Sequence, residues 1–308
     1  MAKAKTQLFS EISGSFKQGV TFRKLPNKAK QIFQRKPIPS YTRTDKQDNV
    51  RTGYRRLCDI WKKAEWLDKT VYTNFAGIYK ITPFNAWMKF NMPIMSRKPV
   101  LYLGMDEGQG TTAHDYSEFE NNGEIIGATW QKLPTGKHCL SFDGVDDYVK
   151  VNDSPNINPT EEITVMVWFY PYSDTDTPAG VVLKHTWWGE YGIIYEKHER
   201  VSMFFGESNT NYVKGFTPKG SVQFNRWTFI TMVGKSYSYL KGYINGEKVI
   251  EIDASDTPIG DTDNPLFLGR YSNNYSHSLI GLASIYSKAT IEDEIKKIYE
   301  TTRHLFGV

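Results

Sequence analysis

Three aspartates crowd one short stretch of the chain. In LSFDGVDDYVKVNDSPNI, Leu140 to Ile157, the residues Asp143, Asp146 and Asp147 surround a tight turn between two short β-forming runs. Carboxylates held that close can take a hard cation, serve an active site, or form only the acidic corner of a β-sandwich. A second grouping is aromatic. KHTWWGEYG sets Trp187, Trp188 and Tyr191 in or beside one loop, and RYSNNYSH adds Tyr271, Asn273, Asn274 and Tyr275. Aromatic faces stack on the C–H faces of sugars while Asn amides bond hydroxyls, so glycan contact is one reading. Packing into a core or against a neighbouring subunit are the others. The six histidines are scattered, and neither a Ser/His/Asp or Cys/His arrangement nor a glycine-rich nucleotide loop can be read. Catalysis is not expected.

The elements that must carry these residues divide the chain. From Pro99 onward, β-rich runs such as ITVMVWFYP, WTFITMVG and SLIGLASIYS alternate with turn signals, the pattern of an antiparallel sandwich. YINGEKV places Asn245-Gly246 between two of them, the pair that supplies both positive-φ positions of a type I′ hairpin turn. TIEDEIKKIYETTRHL reads as a last helix, capped at Thr290 and burying Ile291, Ile295 and Ile298.

Ahead of Pro99 the chain is helical and basic. Val50, Tyr54, Leu57, Cys58 and Trp61 fall on one stripe of a helix capped at Thr44 or Asp45. A second helix starts near Asp68 and buries Val71, Tyr72, Phe75 and Tyr79. A third has Thr82 as cap and Pro83 in its first turn, with Phe84, Trp87 and Met88 facing inward. Residues 1–43 read as an extended arm with one short strand pair near Val20–Phe22 and Gln31–Phe33. The expected units are therefore an arm (1–43), a small helical unit (44–98) and a β domain with a C-terminal helix (99–308).

Net charge is +4, but residues 1–98 hold 21 Lys/Arg against 6 Asp/Glu, and the remainder 17 against 28. Such a split implies two electrostatic jobs, with Arg23, Lys24, Lys28, Lys30, Arg35 and Lys36 of the arm as candidate anchoring residues. Cys58 and Cys139 have no partner at metal-ligand spacing and read as free thiols. No run is long and apolar enough for a membrane span, and the N-terminal residues lack the apolar core of a secretory signal, so synthesis in a cytoplasm is the expectation.

Two resemblances add to this. GVTFRKLPNKAKQIFQRKP together with the closing PFNAW helix, about residues 19–92, looks like a segment found in some proteins of tailed viruses of bacteria and archaea. LGMDEGQG, CLSFDGVDDYVKV, EITVMVWFYP, RWTFITMV, GYINGEKV and PLFLGR occur in the order of a laminin-G-like, concanavalin-A-like jelly roll, over about residues 99–304. The implied fold is mainly β: two antiparallel sheets face to face, preceded by the arm and the helical unit.

In that family the F-D-G-x-x-D-Y corner sometimes holds calcium, which here would draw on Asp143, Asp146, Asp147 and, from MDEGQG, Asp106. A late strand that carries two acids in many relatives reads GLASIY here, with Gly281 and Leu282 in their place, so a ligand is missing. No cofactor is required and calcium stays open. The fold also includes glucanases with paired carboxylates on one strand. EIDASD, Glu251 to Asp256, mimics that strand but follows the Asn-Gly hairpin and ends in Asp instead of Glu.

The resulting expectation is a non-enzymatic structural protein of a virion: a capsid decoration, spike, turret or tail-associated protein. Its basic part would dock on major capsid or tail proteins in a symmetric oligomer, and its jelly roll would project toward host-surface glycans. Protein is favoured over nucleic acid as the partner of the basic part, and no membrane is implied. The alternatives are a cellular carbohydrate-binding module and a polysaccharide depolymerase.

Overall fold

The computed structural model describes residues 44–186 and 189–308, together with the backbone of three short strands before them. Those strands, β1 (Ser15–Phe16), β2 (Val20–Arg23) and β3 (Ile32–Arg35), form a small antiparallel sheet in register Phe22↔Phe33. The strand pair expected in the arm is thus β2 with β3. The side chains of the anchoring candidates Arg23, Lys24, Lys28, Lys30, Arg35 and Lys36 lie outside the described residues.

Residues 45–308 form one compact unit built on two eight-stranded antiparallel sheets. Sheet I runs β17 (Glu247–Ala254), β16 (Ser238–Ile244), β15 (Thr228–Lys235), β10 (Glu162–Pro171), β21 (His277–Tyr286), β8 (His138–Asp143) and β7 (Thr129–Lys132), with β4 (Leu101–Leu103) also on β21. Sheet II runs β14 (Tyr212–Phe216), β13 (Arg200–Gly206), β12 (Gly189–Glu196), β11 (Ala179–Thr186), β18 (Leu266–Leu268), β9 (Tyr148–Val151), β6 (Gly123–Ile126) and β5 (Thr112–Ala113). A two-stranded hairpin, β19 (Arg270–Tyr271) with β20 (Asn274–Tyr275), follows β18. This is a concanavalin-A-like jelly roll. Asn245 and Gly246, at φ 51° and 82°, make the β16–β17 turn as their sequence demands.

The two faces of β10 show how the layers stack. Ile163, Val165, Val167 and Phe169 point into the core between the sheets, whereas Met166 and Trp168 point outward into a second apolar cluster. A strand buried on both faces has no polar alternation, which explains the continuous ITVMVWF run. The second cluster is the roof of sheet I: α1 (Asp45–Lys63), α2 (Val71–Tyr79), α3 (Pro83–Met95) and α4 (Glu292–Phe306). Helix α3 starts where its sequence says, with the Thr82 hydroxyl accepting the Asn85 N–H at 3.1 Å and Pro83 in the first turn.

Three expectations change. Val50 and Tyr54 are exposed, because α1 meets the roof through Gly53, Leu57 and Ile60 and its first two turns overhang. Helix α4 begins one residue later than read, with Ile291 as its N-cap and 63% exposed. The boundary expected at residue 98 is crossed by a shared core: Leu57, Tyr72, Trp87 and Phe90 of the helices belong to the same cluster as Trp168, Phe229 and Leu282 of sheet I. Both cysteines are free, and burial pushes the Cys139 thiol up to about 12. No helix among the described residues is long and apolar enough to cross a membrane.

Candidate functional site

The acidic turn joins β8 to β9. Asp143, Asp146 and Asp147 each bring one carboxylate oxygen within 4.8 Å of the others. The turn uses some of these oxygens itself. Asp147 Oδ2 accepts the Asp143 N–H at 2.8 Å, and Asp143 Oδ1 accepts the Val145 N–H at 2.8 Å. Burial raises the Asp147 pKa, and the charges of Asp143 and Asp146 push it the same way.

Asp106 does not join them, which corrects the four-acid set. Its carboxylate is buried, with Oδ1 2.7 Å from the buried Lys137 ammonium and Oδ2 accepting the hydroxyls of Tyr72 at 2.8 Å and Tyr116 at 2.9 Å. Lys137 also donates to the carbonyls of Gly104 and Met105. A carboxylate whose charge is neutralised and whose lone pairs are filled has nothing left for a metal; Asp106 ties α2 to the sandwich instead. Three carboxylates remain at the turn, against the six to eight oxygens calcium takes.

The aromatic residues separate into three fates. Trp187 and Trp188 lie outside the described residues. Tyr191 is core, not surface: it is 1% exposed and donates its hydroxyl to the Ile157 carbonyl at 2.9 Å. The strand period decides this, because Tyr191 shares parity with Ile193 and Tyr195, which face the other sheet. Tyr271, Asn273, Asn274 and Tyr275 do come together, as the β19–β20 hairpin.

That hairpin sits beside an aromatic platform on the outer face of sheet II. Tyr148 of β9 and Phe267 of β18 point away from the core, since Val149, Val151, Leu266 and Leu268 occupy the inward parity. Their rings meet edge to face at 5.7 Å, and Tyr275 lies 6.2 Å from Tyr148. Arg270 spans the group, its guanidinium 4.9 Å from the Tyr148 ring, 5.0 Å from Phe267 and 5.8 Å from Tyr275. Arg270 Nε donates to the Ser272 carbonyl at 2.8 Å, which fixes the plane of the guanidinium. On the neighbouring strand His185 packs 5.6 Å from Tyr271, over a small outer cluster of Leu183, Ile194 and Phe204. The result is a half-buried cation set among π faces, with Asn273 exposed at the hairpin tip.

Sequence reasoning singled out Tyr271, Asn273, Asn274 and Tyr275 but missed Arg270, Tyr148, Phe267 and His185. The available signal was period two: in VDDYVKV and PLFLGR the aromatic residue sits at the outward parity between apolar inward residues.

At one end of sheet II a charged group is buried. Lys184 is fully enclosed, its ammonium 2.8 Å from Asp153 Oδ1, 3.0 Å from Glu190 Oε2 and 2.7 Å from the Thr262 carbonyl. Burial pushes the Glu190 carboxyl up to about 7, with Lys184 pulling the other way. The group clamps the β11–β12 hairpin to the loops that follow β9 and β17. In contrast, Glu251 is exposed on β17 and held by Lys248 and Lys241, whose hydrogen bonds lower its pKa. A general acid needs the opposite shift.

The comparisons fit this geometry. Residues 143–296, half of the chain, match a laminin-G-type family described as the concanavalin A-like lectin/glucanases superfamily. No curated protein matches the chain. Among solved structures, the receptor binding domain of botulinum neurotoxin C/D mosaic serotype superposes with a TM-score of 0.55 at 18% identity, over 66% of this chain and 51% of that one. The binding domain of Paraclostridial Mosquitocidal Protein 1 gives 0.56 at 17% identity, over 66% and 52%. The botulinum neurotoxin serotype D ligand binding domain in complex with N-acetylneuraminic acid gives 0.53 at 18%, over 66% and 51%. This chain spans about half the length of each, and at such identities the likeness is one of fold. With the two-sheet topology, the acidic β8–β9 corner and the family match in agreement, the chain belongs to the concanavalin A-like lectin/glucanases superfamily.

Proposed function

We propose that the protein is a non-enzymatic virion structural component that displays a ligand-binding jelly roll. It serves as a capsid decoration, spike, turret or tail-associated protein, held in a symmetric assembly by major capsid or tail proteins through its basic N-terminal part. Its ligand is a host-surface glycan, and an acidic sugar suits the site best. The observation that carries the binding half is the Arg270 platform. Arg270 offers a guanidinium to a carboxylate, the rings of Tyr148, Phe267 and Tyr275 offer π faces to a pyranose, and the hairpin offers Asn amides to its hydroxyls. The solved neighbour bound to N-acetylneuraminic acid lends support by fold alone. No cofactor enters this reading. The virion half rests on the charge split and on the resemblance of residues 19–92 to virus proteins.

Binding is tested by titrating sialylated and neutral oligosaccharides against the full chain and an Arg270→Ala, Tyr275→Ala variant. Selective binding of the acidic glycans, lost in the variant, is expected; equal binding by both proteins would remove the site. The virion half is tested by mass spectrometry of purified particles, where the chain should co-purify with capsid or tail proteins through a salt wash series.

A further inference from the structure

A groove of about 770 Å³ lies on the helical roof, where α1, α3 and the start of α4 meet. Sheet I separates the roof from sheet II, so this groove is on the opposite side of the sandwich from Arg270. Its walls include Met88, Met92 and Pro93 of α3, and Val50 and Ile291 stand exposed beside them. Both are apolar residues that the sequence pattern puts on the buried side of a helix and the fold leaves in solvent.

The rim is basic. Lys46, Lys288 and Lys297 line the groove as exposed residues, and none has an ion-pair partner among the described residues. Lys89 adds a fourth amine, held 4.0 Å over the Tyr79 ring. Of the two acids present, Glu294 is already paired with Arg97 at 3.2 Å, which leaves Asp293 alone against four amines.

We infer that this groove binds a short acidic peptide segment of a partner protein, with one apolar side chain of that segment seated against Met88, Met92 and Ile291. The excess of cations selects an acidic occupant, and the apolar walls select a peptide over a nucleic acid backbone, which has no side chain to bury there. The volume admits several residues, not a single amino acid. This inference stands apart from the glycan reading and would survive its failure.

The test uses the full chain, arm included, and fluorescence anisotropy of a labelled Glu/Asp-rich peptide with one central Leu. Competitors are the same peptide with Leu replaced by Ser, and a single-stranded oligonucleotide. Lys288→Glu with Lys297→Glu should weaken binding about tenfold, the sum of two rim charges. Ile291→Ser should weaken the Leu peptide and leave the Ser peptide unchanged. All three positions are exposed, so circular dichroism should show intact folding. Unchanged affinity in the charge-reversed variant would place the acidic peptide elsewhere on the chain and overturn the inference. Equal binding of the Leu and Ser peptides, or displacement by the oligonucleotide at lower concentration, would reduce the groove to a general polyanion surface and overturn it as well.

Discussion

Gly281 of β21 lies directly beneath the ring of Phe306: a Cβ on Gly281 would stand 2.1 Å from Phe306 Cε1. The missing side chain lets the last turn of α4 lie flat on sheet I, where Phe306 stacks on Trp168 at 4.5 Å and 21°. The GLASIY strand is therefore, at Gly281, the seat of a helix. Gly281→Ala should cost about 1–3 kcal/mol through overpacking, and Phe306→Ala about 3–5 kcal/mol through the cavity it leaves. Urea denaturation checks both. A Gly281→Ala variant as stable as the parent would mean that α4 can lift without penalty.

The Asp106–Lys137 pair is the polar lock under the roof, and breaking one side of it leaves the other charge buried. Lys137→Met should destabilise by about 3–5 kcal/mol, whereas Lys137→Met with Asp106→Leu should recover a large part of that loss. Thermal unfolding of Lys137→Met, Asp106→Leu and the double variant gives the coupling, and a double loss equal to the sum of the two single losses would show that the charges are independent. Neither variant should change any response to added calcium, because Asp106 is closed to metal.

Glu190 makes stability depend on pH in a calculable direction. Its carboxyl ionises near 4.5 in the unfolded chain and is pushed up to about 7 by burial in the fold. Between those values the folded protein keeps a proton that the unfolded chain has released. The contribution is thus fully present below about pH 4.5 and is lost as the pH rises through 7. Denaturation midpoints of the parent and Glu190→Gln, compared from pH 4 to 8, should converge at the acid end and separate toward pH 8, the parent falling. A gap constant over that range would assign the proton elsewhere.

On the outer face of sheet II, Arg270→Lys keeps the charge but loses the planar fork and the stacking surface. Acidic-glycan affinity should fall at least tenfold while the melting temperature stays within a few degrees, since Arg270 contributes nothing to the inter-sheet core. A Lys variant with full affinity would mean that only charge matters at that position.

What could be read from the chain alone was what depends on near neighbours. The double-sided burial of β10, the Asn245-Gly246 turn and the Thr82 cap are each written within a few residues. What could not be read depends on which neighbour arrives from far away. Val50 and Leu57 lie on the same helical stripe, yet only Leu57 meets the roof. Nothing local in the sequence signals the carboxylates that pair with the buried Lys137 and Lys184. Arg270 owes its surroundings to Tyr148 of β9, a strand distant in sequence that pairs with β18.

The double burial of sheet I also decides where the protein can be cut. Residues 99–308 look self-sufficient in sequence, but without α1–α3 the outer face of the sheet would carry Tyr102 and Met166, with Tyr116 of the loop after β5 beside them, as bare apolar ground. Soluble monomers do not tolerate patches of that kind, so the fragment should self-associate, whereas one starting at residue 45 should stay monodisperse unless it forms a defined oligomer. The helices are less an appendage to a lectin-like domain than its waterproofing.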